Sequence, residues 1–574
     1  MKWMSTITES QFKEAGSLTR NKLLEYIPVM ILTNMSVFLL STVDGVVAGN
    51  LVSPSALASI NIFYPAMIAV TVISSVVDSG AATSLATSIG SNDVEKIRLT
   101  KSSVKLITIL AVVFIAVVQV PIMKLVIGSY HLTPEVNEMV WGYAKGMMIA
   151  LPLGVISSVG SYQLQILGKM RVLLVLSITE GIANLVLDVF FVEAMHLGIV
   201  GIGFGTASAN VIRCTATVVY LAVKTDVYNS AGVRAGWREI KDILFSGLPD
   251  AASMFMVAWQ NYYIMKIILD VFGDEGGMIK GVCFFALNIA NIMILGVQKS
   301  MRPLAGIYAG ADDRKELRGL LRTCMIVCTV LVCIVLIAVE LLPELVYQLN
   351  GVKDVPEGGI LALRLFALHF IFKGINDLFR PYFTNRKDAK VATGMTILGN
   401  LSLPFFALLL SHVLPAPFLW LAYLMTELLT CALGQIRYLW WVKKDQKESD
   451  SEKKELYVTV KPEEAVEASK MVRKYGIENG TEERIVYRMA LCMEEMVAYA
   501  VKSQDRDDIQ IQIRMQFHPG EGAFFMMDDG KCIALNEDTE TQELITDNYM
   551  LLKRVCKSVE YQYILNMNYT IFRF

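Results

Sequence analysis

Twelve apolar runs, each roughly 20 residues or longer, follow one another along most of this chain. A run of that length crosses the hydrocarbon core of a bilayer as one helix, which satisfies its own backbone hydrogen bonds. The runs are 25–49, 57–89, 104–127, 137–163, 171–194, 199–223, 244–271, 281–307, 323–348, 359–381, 391–412 and 417–441. With 54% hydrophobic residues, the chain is also more apolar than soluble proteins. We therefore predict an α-helical polytopic membrane protein with twelve transmembrane helices.

The loops between these runs alternate between two compositions. One set is rich in lysine and arginine, whereas the alternate set holds only Lys280 and Lys353. Basic residues collect on the cytoplasmic side of a membrane. The rich set holds Lys96, Arg98, Lys101, Lys105, Lys169, Arg171, Lys224, Arg234, Arg238, Lys241, Arg314, Lys315, Arg318, Arg322, Arg386, Lys387 and Lys390. We expect a multi-pass plasma-membrane protein with both termini in the cytoplasm, including residues 1–22, where no cleavable signal is apparent.

The membrane part repeats itself at an offset of 216 to 220 residues. "SIGSNDVEKIR" (88–98) matches "YAGADDRKELR" (308–318), and "NLVLD" (184–188) matches "NLSLP" (400–404). This predicts two parallel six-helix repeats, an N-lobe at 23–225 and a C-lobe at 226–442. Transporters built from such repeats place the substrate cavity between the halves and expose it alternately to either side.

Three polar residues on one helical face interrupt the fifth apolar run. Glu180, Asn184 and Asp188 follow at intervals of four, so they lie one turn apart. An intramembrane carboxylate is costly, and it usually faces a cavity and has a partner. Asp44 in the first run is the expected partner of Asp188. The second repeat has Pro404 where the first has Asp188, so the ion chemistry is predicted to lie in the first half.

Residues 20–442 resemble the multidrug and toxic compound extrusion (MATE) transporters. The stretches that carry this resemblance are "IPVMILTNMSVFLLSTVDGVVAGN", "LATSIGSNDVEKIR", "NLVLD" and "GIVGIGFGTASAN". The resemblance implies a cation-coupling site in the N-lobe, formed by Asp44, Asn184, Asp188 and Thr206. Another branch of the family carries a glutamate in the seventh helix, where this chain has Val257. That departure argues against a sodium site in the C-lobe.

The residue types of the predicted site suit either a proton or a sodium ion. A buried aspartate beside a like charge takes up a proton more readily. Carboxylate, amide and hydroxyl oxygens are also suitable ligands for a hard cation. The alternative is that Asn184 and Asp188 only bond neighbouring helices.

A second group of polar and aromatic residues is a candidate substrate cavity. Its members are Glu180, Trp259, Tyr262, Tyr263, His369, Lys373 and Asp377. The aromatic rings could stack on a flat ligand, or they could anchor the helix at the lipid interface. Lys373 and Asp377 are one turn apart and could instead neutralise each other.

The chain changes character after the last apolar run. Residues 443–455 are a charged run that predicts a solvated linker. Residues 456–574 alternate polar and apolar positions, which predicts a small α+β sandwich. The predicted strands are "LYVTV", "IQIQIRMQF", "GAFFMMDD", "YQYILN" and "YTIFRF". The predicted helices are "PEEAVEASKMVRKYG", "TEERIVYRMALCMEEMVAYAVKS" and "YMLLKRVCKSV".

This last region resembles the histidine-kinase-like ATPase fold of anti-sigma-factor serine kinases. "LCMEEMVAYAVKS" and "FFMMDDGKCIALN" carry the resemblance, which implies a nucleotide site at Glu495, Asp528, Asp529 and Gly530. Tyr499 stands where the family has a magnesium-binding asparagine. The phosphate loop corresponds to "ITDNYMLLK", which lacks the glycines that phosphate cradles use. We therefore expect a degenerate, regulatory pseudo-ATPase domain that binds a cytoplasmic protein and has no ATPase or kinase activity.

The predicted function is that of a cation-coupled antiporter that exports small organic molecules, with no catalytic residues. The alternatives are a flippase for a lipid-linked saccharide and a membrane sensor that signals through its C-terminal domain. The nine cysteines include no C-x-x-C pair, which predicts packing residues and no metal site. No basic stripe suggests nucleic-acid binding. We expect no cofactor beyond the coupling proton or sodium ion.

Overall fold

A computed structural model describes residues 17–574 except for 92, 130–131, 225–232, 273, 351, 353–354, 452–453, 461–464, 503–508, 531–551 and 553–554. The first half contains α1 (Ser17–Val47), α2 (Pro54–Gly90), α3 (Val94–Gly128), α4 (Pro134–Ile166), α5 (Met170–Val189) and α6 (Gly198–Lys224). The second half contains α7 (Trp237–Phe272), α8 (Asp274–Gly310), α9 (Arg314–Leu341), the short α10 (Pro343–Leu349), α11 (Gly359–Ala367), α12 (Phe370–Asn385), α13 (Ala389–Val413) and α14 (Leu421–Ser451). One π-helical turn follows α1 and another follows α5.

The predicted polytopic helical architecture is confirmed. Among the described residues, ten helical segments are long and apolar enough to cross a membrane. The segment of the tenth predicted run consists of α11 and α12, which are separated by a short break. Helices α1 and α7, with 31 and 36 residues, correspond to the first and seventh predicted runs and are not among those ten.

Equivalent residues of the two repeats begin equivalent helices. The Asp93 side chain caps α3 by accepting the Lys96 amide at 3.1 Å, and the Asp313 side chain caps α9 by accepting the Glu316 amide at 3.1 Å. An N-terminal aspartate satisfies a backbone donor that has no partner within the helix. The motif that repeats in the sequence therefore specifies the same helix start twice.

The two halves pack tightly at the end of the membrane part that carries the C-terminal domain. A Cβ on Gly80 of α2 would lie 2.0 Å from the Ile243 carbonyl oxygen of α7, and one on Gly310 of α8 would lie 2.1 Å from the Thr87 carbonyl oxygen of α2. At the opposite end, the first half has its own apolar core, which includes Val47 and Ile199 and draws on first-half residues alone. The halves are thus closed against each other at the domain-facing end.

The C-terminal domain contains one antiparallel sheet of five strands. The strands are β1 (Lys454–Thr459), β2 (Ile511–His518), β3 (Glu521–Asp528), β4 (Ser558–Ile564) and β5 (Met567–Arg573), in the order β1-β2-β3-β5-β4. Helices α15 (Ala465–Glu478) and α16 (Glu483–Lys502) complete the described part of the domain. The five strands and two of the predicted helices are present. Of the predicted helix at 549–559, residues 549–551 and 553–554 lie outside the described residues, Leu552 and Val555 are helical, and Ser558 and Val559 belong to β4 because they pair with β5.

Residues 443–455 differ from the predicted solvated linker. Helix α14 continues to Ser451, and β1 begins at Lys454. Asp445 fixes this extension because it is 5% exposed and accepts hydrogen bonds from Arg386 at 2.8 and 2.7 Å. It also pairs with Arg318 of α9. A charged run that looks like a flexible linker is therefore a helix held by ion pairs.

The sheet buries both of its faces. Phe524 and Met526 of β3 pack into the core that contains α15 and α16. Phe525 and Met527 alternate with them and pack against the core of the membrane helices. The domain therefore lies flat on the membrane part.

The β4–β5 hairpin contacts the first half. Its turn residues, Leu565 and Asn566, have positive φ angles of 53° and 56°, as a two-residue hairpin turn requires. The Leu565 amide donates to the Ile166 carbonyl at 3.2 Å, and its carbonyl accepts the Tyr26 hydroxyl at 2.5 Å. The side-chain amide of Asn566 donates to the Gly168 backbone carbonyl at 3.1 Å. The hairpin tip thus contacts α1 and the turn between α4 and α5.

Strands β1 and β2 contact the second half. Arg514, which is 4% exposed, donates to the Ala311 carbonyl at 2.7 Å and the Asp312 carbonyl at 3.2 Å, and pairs with Asp313 at 3.6 Å. The Tyr457 hydroxyl donates to Asp313 at 2.9 Å. The domain therefore bridges the two halves at the end where they are closed.

Candidate functional site

Hydrogen bonds join polar side chains of four helices inside the first half. The Asp44 carboxylate of α1 accepts from the Tyr143 hydroxyl of α4 at 2.8 Å and from the Thr206 hydroxyl of α6 at 2.9 Å. Asn184 of α5 donates to the Thr206 oxygen at 3.1 Å. Asp44 is 7% exposed, and Asn184 is fully buried. The structure thus connects Asp44, Asn184 and Thr206 directly.

Asp188 lies beside Asp44 and is also fully buried. Among the described residues, no donor bonds either of its carboxylate oxygens, and no lysine or arginine pairs with either aspartate. Gly205 leaves room for it, since a Cβ there would lie 1.9 Å from Asp188 Oδ1. Two adjacent buried carboxylates repel each other unless a proton or a cation lies between them. The cluster can therefore hold a proton or a small hard cation.

Tyr143 is a member of this cluster that the sequence did not indicate. Its ring is 5% exposed and packs edge-on against Phe63 of α2, with centroids 5.4 Å apart. An aromatic residue in an apolar run carries no charge that would distinguish it from packing residues. Only the fold shows that its hydroxyl reaches Asp44.

Glu180 has a partner of its own. It forms an ion pair with Arg213 of α6, and Arg213 also donates to the Ser161 hydroxyl of α4 at 3.2 Å. Both charges are thereby balanced one helical turn from Asn184. Glu180 is 5% exposed, and its place in a substrate cavity stays a prediction.

Lys373 and Asp377 form an ion pair within α12. The Lys373 ammonium lies 2.8 Å from one Asp377 oxygen, and the Arg380 guanidinium lies 3.1 Å from the other. Gln298 of α8 donates to the Asp377 backbone carbonyl at 2.7 Å. This geometry matches the mutual neutralisation considered for these residues, and their role in a cavity stays a prediction.

The remaining candidates of the substrate cavity lie in two places, His369 beside Lys373 and Asp377, and the aromatic residues on α7. His369 is 2% exposed and packs among aromatic rings, with centroids 4.5 Å from Phe366 and 5.4 Å from Tyr423. The rings of Trp259 and Tyr263 lie 4.7 Å apart on α7. The side chain of Tyr262 lies outside the described part of the structure.

A polar set that the sequence did not indicate lies between the two halves. Arg302 of α8 pairs with Asp250 of α7 at 3.1 Å and donates to the Ser79 hydroxyl of α2 at 3.4 Å. Three residues before it, the Lys299 ammonium donates to the Asn34 carbonyl oxygen of α1 at 2.6 Å. Lys299 and Arg302 are cations at the end of an apolar run, so the rule that marked Asp44 could have found them.

The candidate nucleotide residues of the C-terminal domain lie near the end of β3. Asp528 is 2% exposed and accepts hydrogen bonds from the Asn568 side chain at 2.6 Å and the Gly530 amide at 3.0 Å. Burial raises the pKa of Asp528 to about 6. Tyr499 lies close enough to Asp528 to interact with it electrostatically. Asp528 is thus bonded within the sheet itself.

The other two candidates lie on neighbouring elements. Asp529 accepts the Gln510 amide at 3.0 Å, and Glu495 is half-buried on α16. The glycine-free segment that corresponds to the phosphate loop falls within 531–551 and 553–554 apart from Leu552, so nearly all of it lies outside the described residues.

Comparisons with known proteins agree on one family. Residues 30–190 match the MatE family model. The multidrug export protein MepA of Staphylococcus saprophyticus is 20% identical over 263 residues, which are 45% of this chain and 57% of that protein. The multidrug export protein MepA of Staphylococcus haemolyticus is 20% identical over 296 residues, which are 50% of this chain and 65% of that protein. The chain thus spans somewhat under two thirds of the length of these relatives.

Solved structures share the fold of the membrane part. An outward-facing multidrug resistance MATE transporter superposes with a TM-score of 0.70 at 17% identity, covering 75% of this chain and 97% of that one. A MATE structure in the bent conformation gives 0.70 at 18% identity, with the same coverage. The chain thus matches the MatE family model over residues 30–190 and shares the fold of solved MATE transporters over about three quarters of its length.

Proposed function

We propose that this protein is a secondary active transporter that exports small organic molecules in exchange for protons or sodium ions. The observation that carries the proposal is the pair of buried carboxylates, Asp44 and Asp188, with no cationic partner among the described residues. Such a pair is expensive to bury. A reversible proton or cation is the simplest way to balance it.

The closed end of the molecule fits an exporter in its outward-facing state. The basic loops favour a cytoplasmic location for the C-terminal domain, and the halves pack together at that end. The site would then be reached from outside, where protons or sodium ions are abundant. The export activity of the two staphylococcal relatives supports the same direction of transport.

A gradient assay tests the proposal. The full chain is reconstituted into proteoliposomes loaded with a panel of fluorescent dyes, and a proton or a sodium gradient is imposed separately. We expect one of the two gradients to drive dye movement above the level of empty vesicles. Movement that is unaffected by either gradient would contradict ion coupling.

Replacing Asp44 tests the site itself. Asp44→Asn keeps the size and two hydrogen-bonding atoms but removes the charge, so we expect normal insertion and abundance with gradient-driven export lost. Binding of the same dyes to the purified variant serves as the control for folding. Export at the wild-type rate would remove Asp44 from the mechanism.

We also propose that the C-terminal domain regulates transport without hydrolysing ATP. Tyr499 replaces a small amide at the expected metal position, and a phenol with one oxygen and a bulky ring is a poor substitute for it. Asp528 already bonds Asn568 and Gly530. The contacts of the domain with both halves supply a route by which a partner protein could act on transport.

An ATPase measurement on the full chain checks this second proposal. We expect no magnesium-dependent ATP turnover above that of protein-free lipid. Turnover that is lost in Glu495→Ala would show that the domain retains catalysis.

A further inference from the structure

Lys299 is a half-buried cation between the two halves. Its ammonium donates to the side-chain oxygen Oδ1 of Asn34 at 2.6 Å. No carboxylate pairs with this ammonium in the described parts of the chain. It lies three helical turns before the end of α8, about 16 Å along the helix axis. It therefore lies well inside the candidate membrane span Gly276–Gly310.

Its surroundings make this position more positive. Arg302 and Arg213 are the charged groups that act on Lys299 electrostatically. Arg302 is balanced by Asp250 and Arg213 is balanced by Glu180, so each of these cations has its own carboxylate. Lys299 has only an amide oxygen, which accepts a hydrogen bond but carries no charge.

Asp78 is a further carboxylate to consider as a partner for the positive charge of Lys299. It lies on α2 and accepts the Ser158 hydroxyl of α4 at 2.5 Å, so its bond stays within the first half. Among the described residues, no ion pair joins it to Lys299. The positive charge at Lys299 is therefore left for a group that enters from outside the chain.

An unbalanced ammonium at this depth costs free energy, and such residues usually mark the path of a substrate or ion. Lys299 belongs to the second half and Asn34 to the first, so the pair lies across the boundary that opens in alternating access. A substrate bound to this pair would contact both halves and could therefore respond to their relative movement.

We propose that Lys299, assisted by Asn34, binds an anionic group of the exported molecule, such as a carboxylate, a sulfonate or a phosphate. The proposal rests on the transport function proposed above and names its substrate class. It predicts a preference for organic anions or zwitterions over pure cations.

A pair of dyes that differ in one group tests it. Rhodamine 110 carries a free carboxylate, and rhodamine 123 is its methyl ester with a net positive charge. Binding is measured by fluorescence anisotropy on the full chain in phosphatidylcholine nanodiscs, and transport is measured in matching proteoliposomes. We expect the acid to bind at least about tenfold more tightly than the ester, as one charge-assisted hydrogen bond of about 1.5 kcal/mol implies.

Three variants give the test its specificity. Lys299→Gln should remove the preference for the acid and leave ester binding within about twofold, whereas Lys299→Arg should retain the preference. Asn34→Asp supplies an internal carboxylate, so it should also remove the preference although Lys299 is still present. Equal loss of both dyes in Lys299→Gln would show that Lys299 only joins the two halves, and would overturn the proposal.

Two further arms separate this inference from its alternatives. Nanodiscs that contain phosphatidylglycerol should leave the acid affinity unchanged; Lys299-dependent competition by that lipid would assign the site to a headgroup and overturn a substrate role. If the acid binds through Lys299 but no gradient moves either dye, the transport function fails and the anion site stands. If gradients move the ester in preference to the acid, transport stands and this inference fails.

Discussion

Asp44 depends on hydroxyl groups that reach it from other helices. Tyr143 and Thr206 donate to the same oxygen, Oδ2, from α4 and α6. In a site with little water, such donors replace the hydration of the charged form. In the ion coupling proposed above, these uncharged residues therefore influence how readily the Asp44 carboxylate exchanges its ion.

Tyr143→Phe removes one of these donors and keeps the shape of the ring. A hydrogen bond to a charged group contributes about 1.5 kcal/mol, so we expect gradient-driven export to fall about tenfold. The measurement is the initial rate of dye export in proteoliposomes. Tyr64→Phe is the matched control, because Tyr64 is 54% exposed on α2 and should tolerate the change. Equal rates for both variants would contradict a role for the Tyr143 hydroxyl.

Asp528 gives the C-terminal domain a pH-dependent stability. Burial raises its pKa from an ordinary 3.8 to about 6, so the folded sheet favours the protonated carboxyl. That stabilisation is complete below about pH 4 and is lost as the pH rises through about 6. We expect Asp528→Asn to protect β3 and β5 above pH 6, by on the order of 2 kcal/mol. Hydrogen exchange of the full chain, corrected for its intrinsic pH dependence, measures this; a wild-type opening free energy that does not change from pH 4.5 to 7.5 would contradict it.

Helix α2 of the first half makes close contacts with helices of the second half. It contacts α7 at Gly80 and α8 at Gly310, where the backbones are too close for a Cβ. Small residues allow such close packing between membrane helices. The closed arrangement at this end therefore depends on the absence of side chains at positions such as Gly80 and Gly310.

Gly80→Ala places a methyl group 2.0 Å from the Ile243 carbonyl oxygen. Overpacking of this kind costs about 1–3 kcal/mol, so we expect a shift of about fivefold or more toward states in which the domain-facing end is open. Pulsed electron resonance between spin labels at the exposed residues Glu95 and Lys390 reports the distance across that end. Gly319→Ala is the control, since nothing lies within 4 Å of its Cβ. Identical distance distributions for the two variants would argue against this contact as the gate.

Most elements could be predicted from the sequence, because hydrophobic periodicity and helix caps act locally. The alternation in β2 and β3 and the repeated caps at Asp93 and Asp313 are of this kind. Partners distant in the chain could not be predicted. The helical extension to Ser451 depends on Arg386 and Arg318, which the fold brings to Asp445. Tyr143 was missed for the same reason, since its role exists only once α4 packs beside α1.

At the scale of the whole molecule, the C-terminal domain connects the two halves, which move relative to each other in the alternating-access mechanism proposed above. The hairpin tip at Leu565 contacts the first half, and Arg514 contacts the second. Both contacts lie at the end where the halves are closed. A domain bound in this way stabilises the closed arrangement over an open one.

Arg514→Ala should weaken this attachment without abolishing transport. The change removes two hydrogen bonds to backbone carbonyls and the partner of Asp313, a loss of at least a few kcal/mol at a buried site. We expect faster hydrogen exchange at 311–313 and at the β4–β5 turn, with an altered transport rate. Arg573→Ala is the control, because that side chain is 50% exposed. Exchange that rises equally in both variants would assign no special role to Arg514.

The bridging position of the domain has a second consequence, which runs from the transporter to the cell. Coupling between two binding equilibria is reciprocal. A cytoplasmic protein that prefers the detached domain would favour opening, and frequent opening under a heavy substrate load would in turn increase its binding. The fraction of transporters with a detached domain would then rise with the transport rate. Binding of the partner protein would rise with that fraction.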